Sequence, residues 1–134
     1  MTMLSRDAIL AVVDLPREKV AVPEWGGSVI VQGLSAQQRD KVETTLRDFR
    51  DGEVKMREKG LTDFRARIVA LCVINEDGSR MFSDDDISAL GKKSAIAVER
   101  VADVALRLSG MTNEAVESAE KNSDEASSDD SSSD

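Results

Sequence analysis

Hydrophobic residues along this chain change their spacing several times, and each change predicts an element. Between Met3 and Asp14, Ile9, Leu10, Val12 and Val13 form the apolar side of a short helix. Ser5 is its N-cap, Leu4 and Ile9 stand at N′ and N4 as a hydrophobic staple, and Leu15-Pro16 ends it. From Arg17 to Gly33 the period drops to two. Val20, Val22, Val29 and Val31 are strand formers at alternate positions on either side of Pro23-Glu24-Trp25-Gly26-Gly27, which predicts a hairpin. Pro23 fixes φ and removes a donor, while Gly26 and Gly27 permit the positive φ of a tight turn. A Trp at such a tip either folds back onto a small core or is held out for a partner.

The remaining elements read as helices around this hairpin. Ser35-Ala36-Gln37-Gln38 is a capping box that opens a helix through about Arg50, with a sparse stripe of Val42, Leu46 and Phe49. Asp51 to Gly60 mixes charges between glycines, as a linker or a frayed helical end does. The run Ile68-Val69-Ala70-Leu71-Cys72-Val73-Ile74 fits a buried strand or a buried helix equally by periodicity. Thr62 as a cap, and the helix-tolerant Arg65, Ala66 and Arg67, favour a helix from Thr62 to about Val73. Asn75 to Gly78 is then a turn and Ser79 to Phe82 a short extended piece; the turn lacks the alternate oxygen ligands and distal Glu of a calcium loop. Ser83 caps a last helix of about 25 residues that ends at Gly110 as its C′ glycine, with Phe82 and Ile87 as staple. Ile87, Leu90, Val98, Val101, Ala105 and Leu108 form its stripe. Asp84, Asp85 and Asp86 sit in its first turn, where the helix dipole favours negative charge, so capping explains them better than a metal site.

The fold class that follows is α+β: an N-terminal β-hairpin packed with three to four helices, including a long C-terminal helix, and then a disordered acidic tail. The domain boundary follows from charge. Residues 1–113 carry 17 Lys and Arg against 18 Asp and Glu, whereas residues 114–134 carry Lys121 alone against eight acids. Seven of the eight net negative charges therefore belong to the tail, which is rich in Ser and Asp and has nothing to bury. Residues 1–113 form one domain. A near-neutral body and an acidic tail argue against nucleic acid as a partner.

Composition also argues against catalysis. The chain has no His, no Tyr and one Cys. The usual near-neutral general base and any Cys/His zinc site are missing, and Cys72 reads as a small buried apolar residue. The reading is no enzyme, no cofactor and no metal. No apolar run reaches the roughly 18 residues needed to cross a bilayer, and no leader pattern is present, so a soluble cytoplasmic protein without a membrane partner is expected. Two readings from other classes compete: an acidic DNA-mimic inhibitor acting through residues 114–134, and a metal enzyme using Asp84, Asp85 and Asp86.

Three stretches resemble the tail assembly chaperones of long-tailed phages. They are Pro23 to Val31 followed by Leu34-Ser35; Arg65 to Ala70 with Asp77 to Phe82; and Leu90 to Ala95 leading to Val104 to Gly110. The resemblance implies a non-catalytic assembly factor of the host cytoplasm, absent from the finished virion. Its partners would be the tape measure protein, which it coats and keeps soluble, and tail tube subunits, which it recruits. It also implies a longer form of the same protein made by −1 ribosomal frameshifting. Glu120-Lys121-Asn122 is compatible with a slippery heptamer if encoded GAA-AAA-AAC. A coat of many copies implies a homo-oligomer. The candidate partner-binding residues are Pro23, Glu24, Trp25, Gly26 and Gly27 at the tip, with Arg65 and Arg67.

Overall fold

The computed structural model describes residues 1–50 and 63–111, with side chains as far as Thr45 in the first block. The expectations for Leu46, Phe49, Asp51 to Gly60, Thr62, residues 114–134 and Glu120-Lys121-Asn122 lie outside the described residues. In chain order the elements are α1 (Arg6–Ala11), β1 (Arg17–Val22), β2 (Gly27–Gln32), α2 (Ala36–Arg50), α3 (Phe64–Cys72), β3 (Val73–Ile74), α4 (Ile87–Leu90) and α5 (Ala95–Leu108). Short 3-10 turns at Pro23–Trp25 and Asp84–Asp86 join β1 to β2 and precede α4. The expected α+β fold, with a hairpin, packed helices and a long C-terminal helix, is what forms.

The hairpin fixes one side of the core. β1 pairs antiparallel with β2, with Val20 opposite Val29 and Val22 opposite Gly27. Side chains alternate across a strand, so Val20, Val22 and Val31 turn inward together and all three are buried. A third strand completes the sheet in the order β1-β2-β3: Val73 and Ile74 pair antiparallel with Val31 and Ile30. The expected helix through Val73 therefore stops one residue earlier, at Cys72, where the backbone of Val73 becomes extended. In a run buried on all sides no face is polar, so neither period marks the switch. The β-branched pair at its end completes the sheet instead.

Asn75 to Gly78 forms the expected turn. The Gly78 N–H donates to the Asn75 carbonyl at 2.9 Å, and Gly78 has φ +93°. The extended piece beyond it is reduced to a single bridge between Ile74 and Arg80.

The capping signals are realised in atomic detail. Ser35 and Gln38 exchange hydrogen bonds, Ser35 N–H to Gln38 Oε1 at 2.9 Å and Gln38 N–H to Ser35 Oγ at 3.2 Å. Asp86 accepts from the Ser83 N–H at 2.9 Å, and Ser83 Oγ accepts from the Asp85 N–H at 3.2 Å. At the other end of α5, Gly110 has φ +75°. Its N–H donates to the Arg107 carbonyl while the Met111 N–H reaches back to Leu106, the paired bonds of a Schellman stop.

Two further expected helices are corrected. The single helix of about 25 residues is broken between Leu90 and Ala95, where Ser94 acts as a second N-cap and accepts from the Ala97 N–H at 3.3 Å. The break has a packing reason. Both α4 and α5 pack on α3, burying Ile87 and Leu90 from one and Ala97, Val98 and Val101 from the other. A straight rod would lead one of these apolar stripes away from α3. A glycine and a capping serine in the intervening stretch make the corner accessible.

The second correction is at the chain start. The expected helix from Met3 to Asp14 is confined to Arg6–Ala11, although Ser5 caps it as expected by accepting from the Ala8 N–H at 3.1 Å. None of its residues is buried, and Leu4 and Ile9, the expected staple, are both exposed. A helix this short has little intrinsic stability without a packed face.

Candidate partner-binding surface

The tip of the hairpin is a built turn. Pro23 occupies the start of the 3-10 turn, and Gly26 closes it in the left-handed region at φ +81°, its N–H donating to the Pro23 carbonyl at 3.0 Å. Trp25 is half-buried and packs against the edge of the hydrophobic core, so its ring is partly committed to this chain and partly open. Pro23, Gly26 and Gly27 are exposed. A Cβ placed on Gly26 or Gly27 would meet no heavy atom within 4 Å. Gly27 is also absent from the positive-φ glycines. Neither backbone conformation nor crowding within this chain therefore demands a glycine at position 27, and its bare backbone lies open beside Trp25.

Glu24 points back to the body. Its two carboxylate oxygens accept from Arg100 Nη1 at 2.6 Å and Nη2 at 3.0 Å, a bidentate pair between the tip and α5. About a third of each side chain is exposed, 32% for Glu24 and 36% for Arg100. The Arg100 hydrogen bonds hold the Glu24 carboxyl at about 2, against an ordinary 4.5, and the pairing raises Arg100 in return. A second clasp repeats the arrangement at the base of the hairpin, where Arg107 Nη2 donates to both Glu18 oxygens at 2.9 and 3.0 Å. Arg100 and Arg107 are two helical turns apart on one face. The strand advances from Glu18 towards Glu24 as the helix runs back from Arg107 to Arg100, so β1 and α5 lie antiparallel.

The hairpin is seated on α5 at its base by a closer contact. A Cβ on Gly33 would stand 2.8 Å from the Leu108 carbonyl oxygen, closer than side-chain atoms approach backbone. The next residue, Leu34, donates its N–H to Ser109 Oγ at 2.8 Å, and that buried hydroxyl donates onward to the Ala105 carbonyl at 2.7 Å. Arg39 of α2 adds a bond to the Ser109 carbonyl at 3.1 Å.

Of the seven candidate residues, five lie together at the tip. Arg65 and Arg67 belong to α3, where both are half-buried between the fully packed Phe64, Ala66 and Ile68. They are positioned by the helix that packs on α5 and α4, not by the hairpin turn. Sequence reasoning did not find Arg100, Arg107, Gly33 or Ser109. The partners of the two arginines are 76 and 89 residues away, so no local spacing marks them.

The other chemistry-bearing groups have structural roles. Cys72 is buried, and loss of solvent pushes its thiol up to about 12, where it is a poor nucleophile. Asp77 is held below the ordinary carboxyl range by the hydroxyl and N–H of Ser79. In the Asp triplet, Asp86 completes the cap and Asp84 pairs with Arg80 at 3.2 Å. Among the described residues no group of three or more Asp, Glu, Cys or His is arranged to hold a metal ion. None of the described helices is long and apolar enough to cross a membrane.

Comparison with known families matches residues 6–124 to the family described as phage tail assembly chaperone. Comparisons with curated proteins and with solved structures give no match.

Proposed function

Because the chain belongs to the phage tail assembly chaperone family, its partners are to be sought among phage tail proteins, and we propose that it binds the tape measure protein and keeps it soluble in the host cytoplasm. On this reading it recruits tail tube subunits until the tube replaces it, takes no part in catalysis and is absent from the finished virion. The longer frameshifted form of the same protein would work beside it, and coverage of a long tape would use many copies.

The observation that carries the reading is the open tip. Gly27 leaves bare backbone next to a half-buried Trp25, with no steric demand from the chain itself. A Trp that packs on the core yet keeps part of its surface in solvent is a pre-positioned anchor, costing little ordering entropy on binding. Pro23, Glu24 and Gly26 then hold that anchor in place, and Arg65 and Arg67 supply charge on α3.

The test is coexpression with the neighbouring tape measure protein, scoring its soluble fraction. The wild-type chain should raise that fraction, and Gly27→Lys should lower it without shifting the melting temperature, because the added side chain enters open space. An unchanged soluble fraction with the wild-type chain sinks the proposal. Normal activity of Gly27→Lys would remove the tip from it. Deleting residues 114–134 should leave the effect in place, whereas a DNA-mimic inhibitor would lose its action.

A further inference from the structure

Among the described residues, the peptide link most prone to self-modification is Asp77–Gly78. An Asp followed by Gly closes on itself readily, because no side chain on the second residue screens the backbone nitrogen. The Gly78 nitrogen attacks Asp77 Cγ, the amide proton and the carboxyl OH leave as water, and a cyclic imide forms. Water then opens the imide at either carbonyl, restoring aspartate or leaving isoaspartate with an extra methylene in the main chain. The carboxyl must be protonated for its oxygen to leave, and the nitrogen must give up its proton.

The turn opposes both steps. Asp77 Oδ1 accepts from the Ser79 N–H at 2.9 Å and from Ser79 Oγ at 2.6 Å, and both bonds favour the ionised carboxylate. The Gly78 N–H is committed to the Asn75 carbonyl at 2.9 Å, a bond that must break before the nitrogen can react. Asn75 also orients the Ser79 hydroxyl, which accepts from Asn75 Nδ2 at 3.0 Å. Burial plays no part, since Asp77 and Ser79 are both exposed.

The hazard is built into the turn. Gly78 has φ +93°, and a Cβ there would stand 3.1 Å from Arg17 Nη2, so a glycine is required. We infer that the Ser79 hydroxyl guards the Asp77–Gly78 link, making it a latent isoaspartate site that opens when that hydroxyl is lost. An added methylene would lengthen the loop closed by the bridge between Ile74 and Arg80. Arg80 donates to the Ala70 carbonyl at 3.1 Å and to Asp84 at 3.2 Å, so a slip there reaches α3 and the turn before α4.

The test ages the full chain at neutral pH and follows isoaspartate by peptide mapping, which separates Asp77 from the chain's other Asp–Gly pair, Asp51–Gly52. Folded wild type should form isoaspartate at Asp77 far more slowly than the same chain unfolded in urea. Ser79→Ala should raise the folded rate roughly tenfold, the scale of one lost hydrogen bond to a charged acceptor. Ser79→Thr, which keeps the hydroxyl, should stay at the wild-type rate. On acidification the rate should climb at a higher pH in Ser79→Ala than in wild type, because the carboxyl is no longer held below its ordinary 3.8 by that hydroxyl. Equal rates in wild type and Ser79→Ala overturn the inference. Wild type ageing as fast folded as unfolded, or Ser79→Thr matching Ser79→Ala, also overturns it. A faster Ser79→Ala with an unshifted pH profile makes the hydroxyl a turn-shaping group only, and the guard falls.

Discussion

The hairpin and the arm before it are both rich in β-branched and aliphatic residues, and they meet opposite fates. In the hairpin, Val20, Val22 and Val31 are buried, and Trp25 leans on the core. In the arm, Ile9, Leu10, Val12 and Val13 all stay in solvent. Hydrophobicity alone does not separate them. What does is pairing: the hairpin satisfies its backbone across the strands, turns one face inward and lies along α5 under two arginine clasps. The arm, residues 3–14, has a cap, but none of its helical residues is buried. Apolar content creates a demand for burial, and only a neighbouring surface meets it.

The sharpest way to break this contrast is to truncate one buried residue of the core and one residue of the arm. Phe64→Ala, in a site only 1% exposed, should cost about 3–5 kcal/mol in chemical denaturation. Leu10→Ala should stay within about 0.5 kcal/mol of wild type, as surface changes do. A substantial loss from Leu10→Ala would mean that the arm packs on the body in solution.

A smaller effect is expected where the hairpin meets α5. Gly33→Ala puts a methyl 2.8 Å from the Leu108 carbonyl oxygen, so the backbone must shift. A loss of about 1–3 kcal/mol is expected, the usual range for overpacking. Retained stability would show that the hairpin base can slide on the helix.

The smallest effect is electrostatic and depends on pH. Glu24 has its carboxyl depressed from 4.5 to about 2 by Arg100, so its stabilisation is present above pH 4.5 and fades as the pH falls from there towards 2. Glu24→Gln should therefore lower the melting temperature slightly at neutral pH, and the two proteins should converge in acid. Salt should shrink the difference, because both groups are partly exposed. Parallel melting curves across the acid range would mean that the tip clasp is open in solution.

Much of the fold was legible where a signal is local. The alternating valines gave the hairpin, Ser35 with Gln38 and the Ser83 cap with its Phe82 and Ile87 staple gave helix starts, and Gly110 gave the final stop. These depend on residues within a few positions of one another, so they survive in one dimension. The tip was legible as a candidate site for the same reason, through Pro23, Trp25 and the two glycines. Its anchorage was not, because Glu24 and Arg100 meet only after the chain has folded.

By itself the sequence determined the hairpin, the caps at Ser5, Ser35 and Ser83, the Asn75 to Gly78 turn and the stop at Gly110, and it placed the charge imbalance in residues 114–134. It also carried the family resemblance that the later comparison bore out over residues 6–124. Tertiary structure decided the rest. It turned Val73-Ile74 into a third strand because β2 offered an edge, and it bent the last helical stretch at Ser94 so that two stripes could share α3. It buried one apolar segment and left another exposed. Those outcomes depend on which surfaces come to lie side by side, and burial free energy is a property of the pair of surfaces rather than of either segment alone.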